Sequence, residues 1–284
     1  MKIAITGAAG FIGTELRKHL EGKAEVIGLV RPGESDELTV TDYSEEELSS
    51  LLQGVDCVIH LASKRGGGKG YCEFHENSIL LENLLNAMRN AGVKKIIFMS
   101  SLAVYSDPAA LPWREDSIPT PQTFYGLSKL TGEAMCRFYG KFGIHHLIFR
   151  SAIVYGGNDL TRMTGAFISG AAAHKQLKVV GKSVAKRDFI YVKEVVNALA
   201  WGALSCSSLD TTFNLGSLAC HTNLELALAV NKAFQNEGNL EYLSDADENL
   251  TDSYLCSDRL TAAGYVHQYT LDTAMADIAA HWNG

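Results

Sequence analysis

The sequence predicts an α/β protein, a doubly wound parallel sheet followed by a smaller C-terminal lobe, and three observations support this. Short apolar runs of strand length, Val26–Val30, Val58–Ala62, Ile96–Ser100 and Leu147–Arg150, alternate with helical patterns such as Asn77–Ala91 and Phe124–Phe142. Such alternation builds right-handed βαβ units on a parallel sheet. A glycine-rich turn separates the first apolar run from the first helical pattern, and 284 residues suffice for one α/β domain with an added lobe.

The first element is the strand Ile3–Thr6, which runs into Gly7-Ala8-Ala9-Gly10-Phe11-Ile12-Gly13 and then a helix carrying Phe11, Ile12, Leu16 and Leu20 on its apolar positions. Strand, glycine turn and helix in that order form the context of a dinucleotide fingerprint. Gly7, Gly10 and Gly13 let the backbone turn sharply and approach a pyrophosphate, which rests with Phe11 and Ile12 at the positive helix end. This makes the sheet Rossmann-type.

The second strand ends at Val30-Arg31, where an enzyme selective for NAD carries an acidic residue to hold the adenosine ribose diol. Arg31 suits a 2′-phosphate instead. The expectation is therefore NADP or NAD, with NADP favoured, although Asp36 and Glu37 lie close by.

The fourth strand, Val58–Ala62, is followed by Gly66-Gly67-Gly68, a loop expected to border the cleft. Lys95-Ile96-Ile97-Phe98-Met99 then reads as a buried strand that ends in Ser100-Ser101-Leu102-Ala103-Val104-Tyr105. Ligands of open parallel sheets bind at such strand ends. A serine there can donate a hydrogen bond to a substrate oxygen. Next comes Tyr125-Gly126-Leu127-Ser128-Lys129, on a helix that starts after Pro119 and Pro121. Residues four apart share a helical face. A tyrosine ordinarily titrates near about 10, so it needs a neighbouring cation to exchange protons at neutral pH, and Lys129 is that cation.

With these motifs, Val58-Ile59-His60-Leu61-Ala62, Asn77, Arg150 through Val154-Tyr155-Gly156, Arg187-Asp188-Phe189-Ile190-Tyr191-Val192 and Phe213-Asn214-Leu215-Gly216 complete a series. In this order they resemble an extended short-chain dehydrogenase/reductase of the NAD-dependent epimerase/dehydratase family, over nearly the whole chain. The resemblance implies that Ser101, Tyr125 and Lys129 are catalytic. It implies that Leu61, Ala62 and Ser100 touch the cofactor, that Asp42 and Tyr43 lie at the adenine, and that Arg187 grips a substrate diphosphate. A surface pairing of Arg187 with Asp188 is the alternative. The dehydratases of this family follow their serine or threonine with an acidic pair, but Leu102-Ala103 stand here. A 4-epimerase or ketoreductase of a nucleotide sugar is therefore expected. Ile153 replaces the family's frequent asparagine, which removes one polar substrate contact. Two other readings stay open: an NADPH-dependent reductase of a non-sugar carbonyl, and a cofactor-binding sensor without turnover.

A domain of residues 1–156, joined again by 187–217, should hold the dinucleotide, and the rest of 157–284 should mainly bind substrate. The formal charge of −7 argues against a nucleic-acid surface. Cysteines 57, 72, 136, 206, 220 and 256 form no regular framework and read as reduced thiols. No run approaches a membrane span and no signal peptide precedes the first strand, so a cytoplasmic protein is expected. His145 and His146 read as packing residues rather than metal ligands, as do Met99, Met135 and Met163. Apolar positions on more than one side of the helices near 77–91 and 123–142 match the family's four-helix dimer interface, so a homodimer is expected.

Overall fold

The computed structural model describes residues 1–64, 70–156, 159, 162–244 and 250–282. The Gly66-Gly67-Gly68 loop lies outside the described residues. The first part alternates strand and helix: β1 (Lys2–Thr6), α1 (Phe11–Leu20), β2 (Glu25–Val30), β3 (Thr39–Val40), α2 (Glu45–Leu51), β4 (Cys57–His60), α3 (Tyr71–Ala91), β5 (Lys95–Ser101), α4 (Phe124–Tyr139) and β6 (His145–Ser151). There follow β7 (Ile153–Tyr155), α5 (Met163–Ala172), β8 (Leu177–Val180), β9 (Phe189–Tyr191), α6 (Val192–Leu204), β10 (Thr211–Leu215), α7 (Asn223–Ala233), β11 (Leu240–Leu243), α8 (Asp258–Ala262) and α9 (Leu271–Ala280).

Seven strands form a parallel sheet in the order β10-β6-β5-β4-β1-β2-β3. The strand order reverses between β1 and β4, which leaves a crevice outside their C-terminal ends. Successive strand residues face opposite sides. Ile3, Ile5, Ile59, Ile97, Leu147 and Phe149 thus join Leu16 of α1 and Leu199 of α6 in one core. Ala4, Val58, Ile96, Phe98 and Ile148 join Leu48 of α2 and Leu81, Leu84 and Leu85 of α3 in the other. Each fully buried aliphatic side chain contributes about 1.5–3 kcal/mol.

Two helix ends differ from the sequence expectation. α3 begins at Tyr71 rather than Asn77, and its first turn sets Tyr71 beside Phe74 and His75 at the i+3 and i+4 positions. α4 stops at Tyr139. A single 3₁₀ turn, Gly140–Phe142, follows it and ends at Gly143, whose φ of 78° favours glycine.

Residues 187–217 divide between two places. α6 packs on α1 and β10 forms the sheet edge beside β6, whereas β9 pairs in parallel with β7 outside the main sheet. β8 and β11 form a second small sheet.

Candidate active site

The glycine turn fills the crevice where the strand order reverses. Gly7 has φ +67°, and a Cβ on it would stand 2.8 Å from the Ala62 backbone nitrogen. A Cβ on Gly13 would fall 2.3 Å from the Gly7 carbonyl oxygen, so α1 starts pressed against the turn. The Thr6 hydroxyl oxygen accepts from the amides of Leu61 and Ala62, each at 3.2 Å, which fixes the end of β4 against β1. Gly10 caps α1 without a side chain, and the helix carries no acidic residue in its first turn. Its leading amides and positive dipole end therefore suit an anion.

A cleft of about 930 Å³ runs from this turn. It is lined by Gly7, Gly10, Phe11, Ile12, Gly13, Leu61, Ser100, Ser101, Tyr125 and Lys129, so most of the expected site residues share one wall system. An adjoining cavity of about 440 Å³ shares Gly7, Gly10 and Leu61 and adds Arg31, Tyr43 and Ala62. Close-approach glycines, an uncompensated helix end and this two-part cavity fit a dinucleotide.

β5 delivers Ser101 to the cleft and α4 delivers Tyr125 and Lys129. Thr123 caps α4 through the Gly126 amide at 3.0 Å, which starts the helix just before the tyrosine. α4 also approaches the turn after Ser101 closely, for a Cβ on Gly126 would lie 2.2 Å from the Ala103 oxygen. Lys129 is only 5% exposed. Its Nζ donates to the Met99 carbonyl at 2.9 Å and lies 5.7 Å from the Tyr125 ring centre. Beside it, burial and the Lys129 charge push His60 down to about 3, so its imidazole is neutral. Thr6, whose oxygen already accepts two amides, donates its hydroxyl proton to His60 Nδ1 at 2.8 Å.

Several neighbours of the cleft escaped the sequence reading. Glu34 lines the same cavity as Arg31 and accepts the Arg31 amide at 3.0 Å. The Pro32-Gly33 turn brings this carboxylate back, a signal hidden behind the more obvious arginine. Glu133, fully buried four residues after Lys129, accepts from Ser100 Oγ at 2.6 Å, from Arg150 Nε and Nη2 at 2.9 and 2.7 Å, and from Arg137 at 3.0 Å. Arg150 in turn donates to the Tyr105 hydroxyl at 2.5 Å, and Tyr105 reaches Asn214. The arginines hold the Glu133 carboxyl below the usual range against the opposing effect of burial. Asp159 and Arg162, an ion pair at 3.1 Å, also line the cleft.

Four further expected residues have these partners. The Ser100 hydroxyl is directed to Glu133, although the residue lines the cleft. The Tyr43 hydroxyl donates to the Leu29 carbonyl and accepts from the Gly7 amide, and burial pushes it up to about 12. Asp42 caps the Ser44 amide at 2.7 Å and lines neither cavity. Arg187 also lines neither. Its backbone pairs with His221 and its guanidinium donates to the Thr251 carbonyl. The neighbouring Asp188 carboxylate accepts from Ser217 and the Leu255 amide, and burial raises it to about 6. His145 and His146 open β6 and meet Asp210.

Fold and cleft together define an enzyme of the extended short-chain dehydrogenase/reductase type. A sequence model of the NAD dependent epimerase/dehydratase family matches residues 3–216, and the chain belongs to that family. It is similar to the crystal structure of UDP-N-acetylglucosamine 4-epimerase from Bacillus cereus, with a TM-score of 0.92 and 34% identity over 100% of both chains. It is 30% identical to an uncharacterized UDP-glucose epimerase of Bacillus subtilis, over 76% of this chain and 77% of that one. A dTDP-4-dehydro-6-deoxy-D-allose reductase from Streptomyces is 27% identical over 69% of this chain and 70% of its own.

Proposed function

We propose that this chain is a nucleotide-sugar 4-epimerase that keeps NAD bound through its cycle. The observation that carries the reading is that Ser101, Tyr125 and Lys129 line the same cleft as the glycine turn. Bound there, NAD supplies a reversible hydride acceptor. With the cofactor in place, the Ser101 hydroxyl would donate to the oxygen at the reacting carbon, and the Tyr125 oxygen would take up that hydroxyl's proton as the carbon is oxidised and give it back as the ketone is reduced. The Lys129 ammonium holds the cofactor ribose and supports the tyrosine. Epimerisation needs the intermediate ketone to turn over in the cleft, and the apolar wall of Ala152, Ile153 and Val154 offers few polar groups to fix one orientation.

The similarity to a UDP-N-acetylglucosamine 4-epimerase over the full length of both chains supports a UDP-sugar substrate. Leu102-Ala103 in place of an acidic pair speaks against dehydration. The Arg31-based preference for NADP is not carried forward. Glu34 shares that cavity, and a second anion there would repel a 2′-phosphate while accepting from a ribose diol.

The second reading is an NADPH-dependent ketoreductase, favoured by Arg31 in the adenosine cavity and by the similarity to a dTDP-sugar reductase. Mass spectrometry of the cofactor released from denatured, freshly purified protein separates the two. Retained NAD supports the epimerase. An empty protein that binds NADPH more tightly than NADH supports the reductase. Elements of 157–186 and 218–284 form the substrate-binding lobe in this proposal, and the protein works as a cytoplasmic homodimer.

A further inference from the structure

Lys129 and Glu133 stand one helical turn apart on the buried face of α4 and reach successive residues of β5. Lys129 Nζ donates to the Met99 carbonyl at 2.9 Å, and the Ser100 hydroxyl donates to Glu133 Oε1 at 2.6 Å. The next residue on β5 is Ser101. We propose that Glu133 is a positioning residue, which through Ser100 fastens the end of β5 to α4 and so sets the separation of the Ser101 and Tyr125 hydroxyls. This rests on the assignment of those two as the catalytic pair.

The geometry distinguishes a tether from a simple core ion pair. The bidentate Arg150 contact already satisfies the Glu133 charge, with Arg137 as a second cation. A buried ion pair of this kind adds little net stability over apolar packing. The Ser100 link is a charge-assisted hydrogen bond between the two elements that carry the reacting groups, and such bonds are short and directional. Arg150 extends the hold to β6, whose last residue Ser151 also lines the cleft. Misplacement of reacting groups by about 1 Å costs on the order of a hundredfold in rate.

The test is Ser100→Ala, which cuts the tether but leaves the Glu133–Arg150 pair in place, with Glu133→Gln as the second variant. Hydrogen exchange of the 98–104 backbone reads the tether without substrate and so stands even if the chain turns over no nucleotide sugar. Ser100→Ala is expected to speed exchange there by at least about fivefold while β6 stays protected. For the epimerase, kcat should fall about tenfold with the NAD dissociation constant unchanged within about twofold. The double variant should lose no more than the worse single one, because both act through one link. Unchanged exchange would overturn the proposal. So would a tenfold loss of NAD affinity with kcat intact at saturating NAD, which would make Ser100 a cofactor contact, or additive losses in the double variant.

Discussion

Tyr125 and His60 carry the two sharpest consequences for single residues. Tyr125→Phe keeps the ring against the cleft but removes the hydroxyl proposed to exchange the proton. NAD affinity should hold within a few-fold while kcat drops by at least about a hundredfold, the scale of general acid–base catalysis; fluorescence titration and steady-state rates measure the two separately. His60 is held neutral in the fold at about 3 against an ordinary 6.5, by burial first and Lys129 second. Between those values the unfolded chain binds a proton that the folded chain does not. Its contribution is therefore fully present above about 6.5 and lost as pH falls toward 3. His60→Asn keeps an acceptor for the Thr6 hydroxyl, so its melting temperature should fall less steeply than wild type below pH of about 6.5. Equal acid sensitivity in the two proteins would remove His60 as the cause. The shared cleft position of the proposed catalytic residues Ser101, Tyr125 and Lys129 was legible in the sequence, because each sits in a recognisable motif at the end of a strand or the start of a helix. Glu133 was not, since its role depends on Arg150 and Ser100 arriving from two other strands. Glu34 was missed because a tight turn, rather than a helical or strand period, returns it to Arg31.

The elements matter through how closely they approach. α4 can place Tyr125 near Ser101 only because Gly126 has no side chain against the Ala103 carbonyl, 2.2 Å from where a Cβ would stand. Gly126→Ala must push α4 or the 102–104 turn aside, at a cost of about 1–3 kcal/mol. Denaturant melts should show that loss, and kcat should fall further than NAD affinity. Wild-type kcat in a correctly folded variant would show that this approach does not set the geometry. Strand and helix alternation was readable because buried parallel strands are nearly continuous apolar runs. The pairing of β7 with β9 was not, as three-residue strands have no period to detect and their partner lies far along the chain. The helical start at Tyr71 was equally hidden, for the first turns, Tyr71 to Glu76, carry no apolar stripe at helical spacing.

For the whole molecule, the sheet order that opens a crevice between β1 and β4 brings the glycine turn, Ser101, Tyr125 and Lys129 to one cleft and Arg31 and Glu34 to an adjoining cavity. Ile79 of α3 and Leu127 and Phe138 of α4 are large apolar side chains at 42%, 40% and 55% exposure, and the proposed homodimer would cover them. Light scattering should give the mass of a dimer for the native protein and that of a monomer for Leu127→Glu with Phe138→Glu. A monomeric wild type would refute this. The central claim is that the chain interconverts a sugar nucleotide with cofactor it already holds. The most direct measurement is proton NMR of UDP-N-acetylglucosamine incubated with the purified protein and no added cofactor. The account predicts growth of the 4-epimer to an equilibrium mixture without net formation of NADH. No interconversion, together with NADPH consumed in proportion to a ketone supplied, would contradict it.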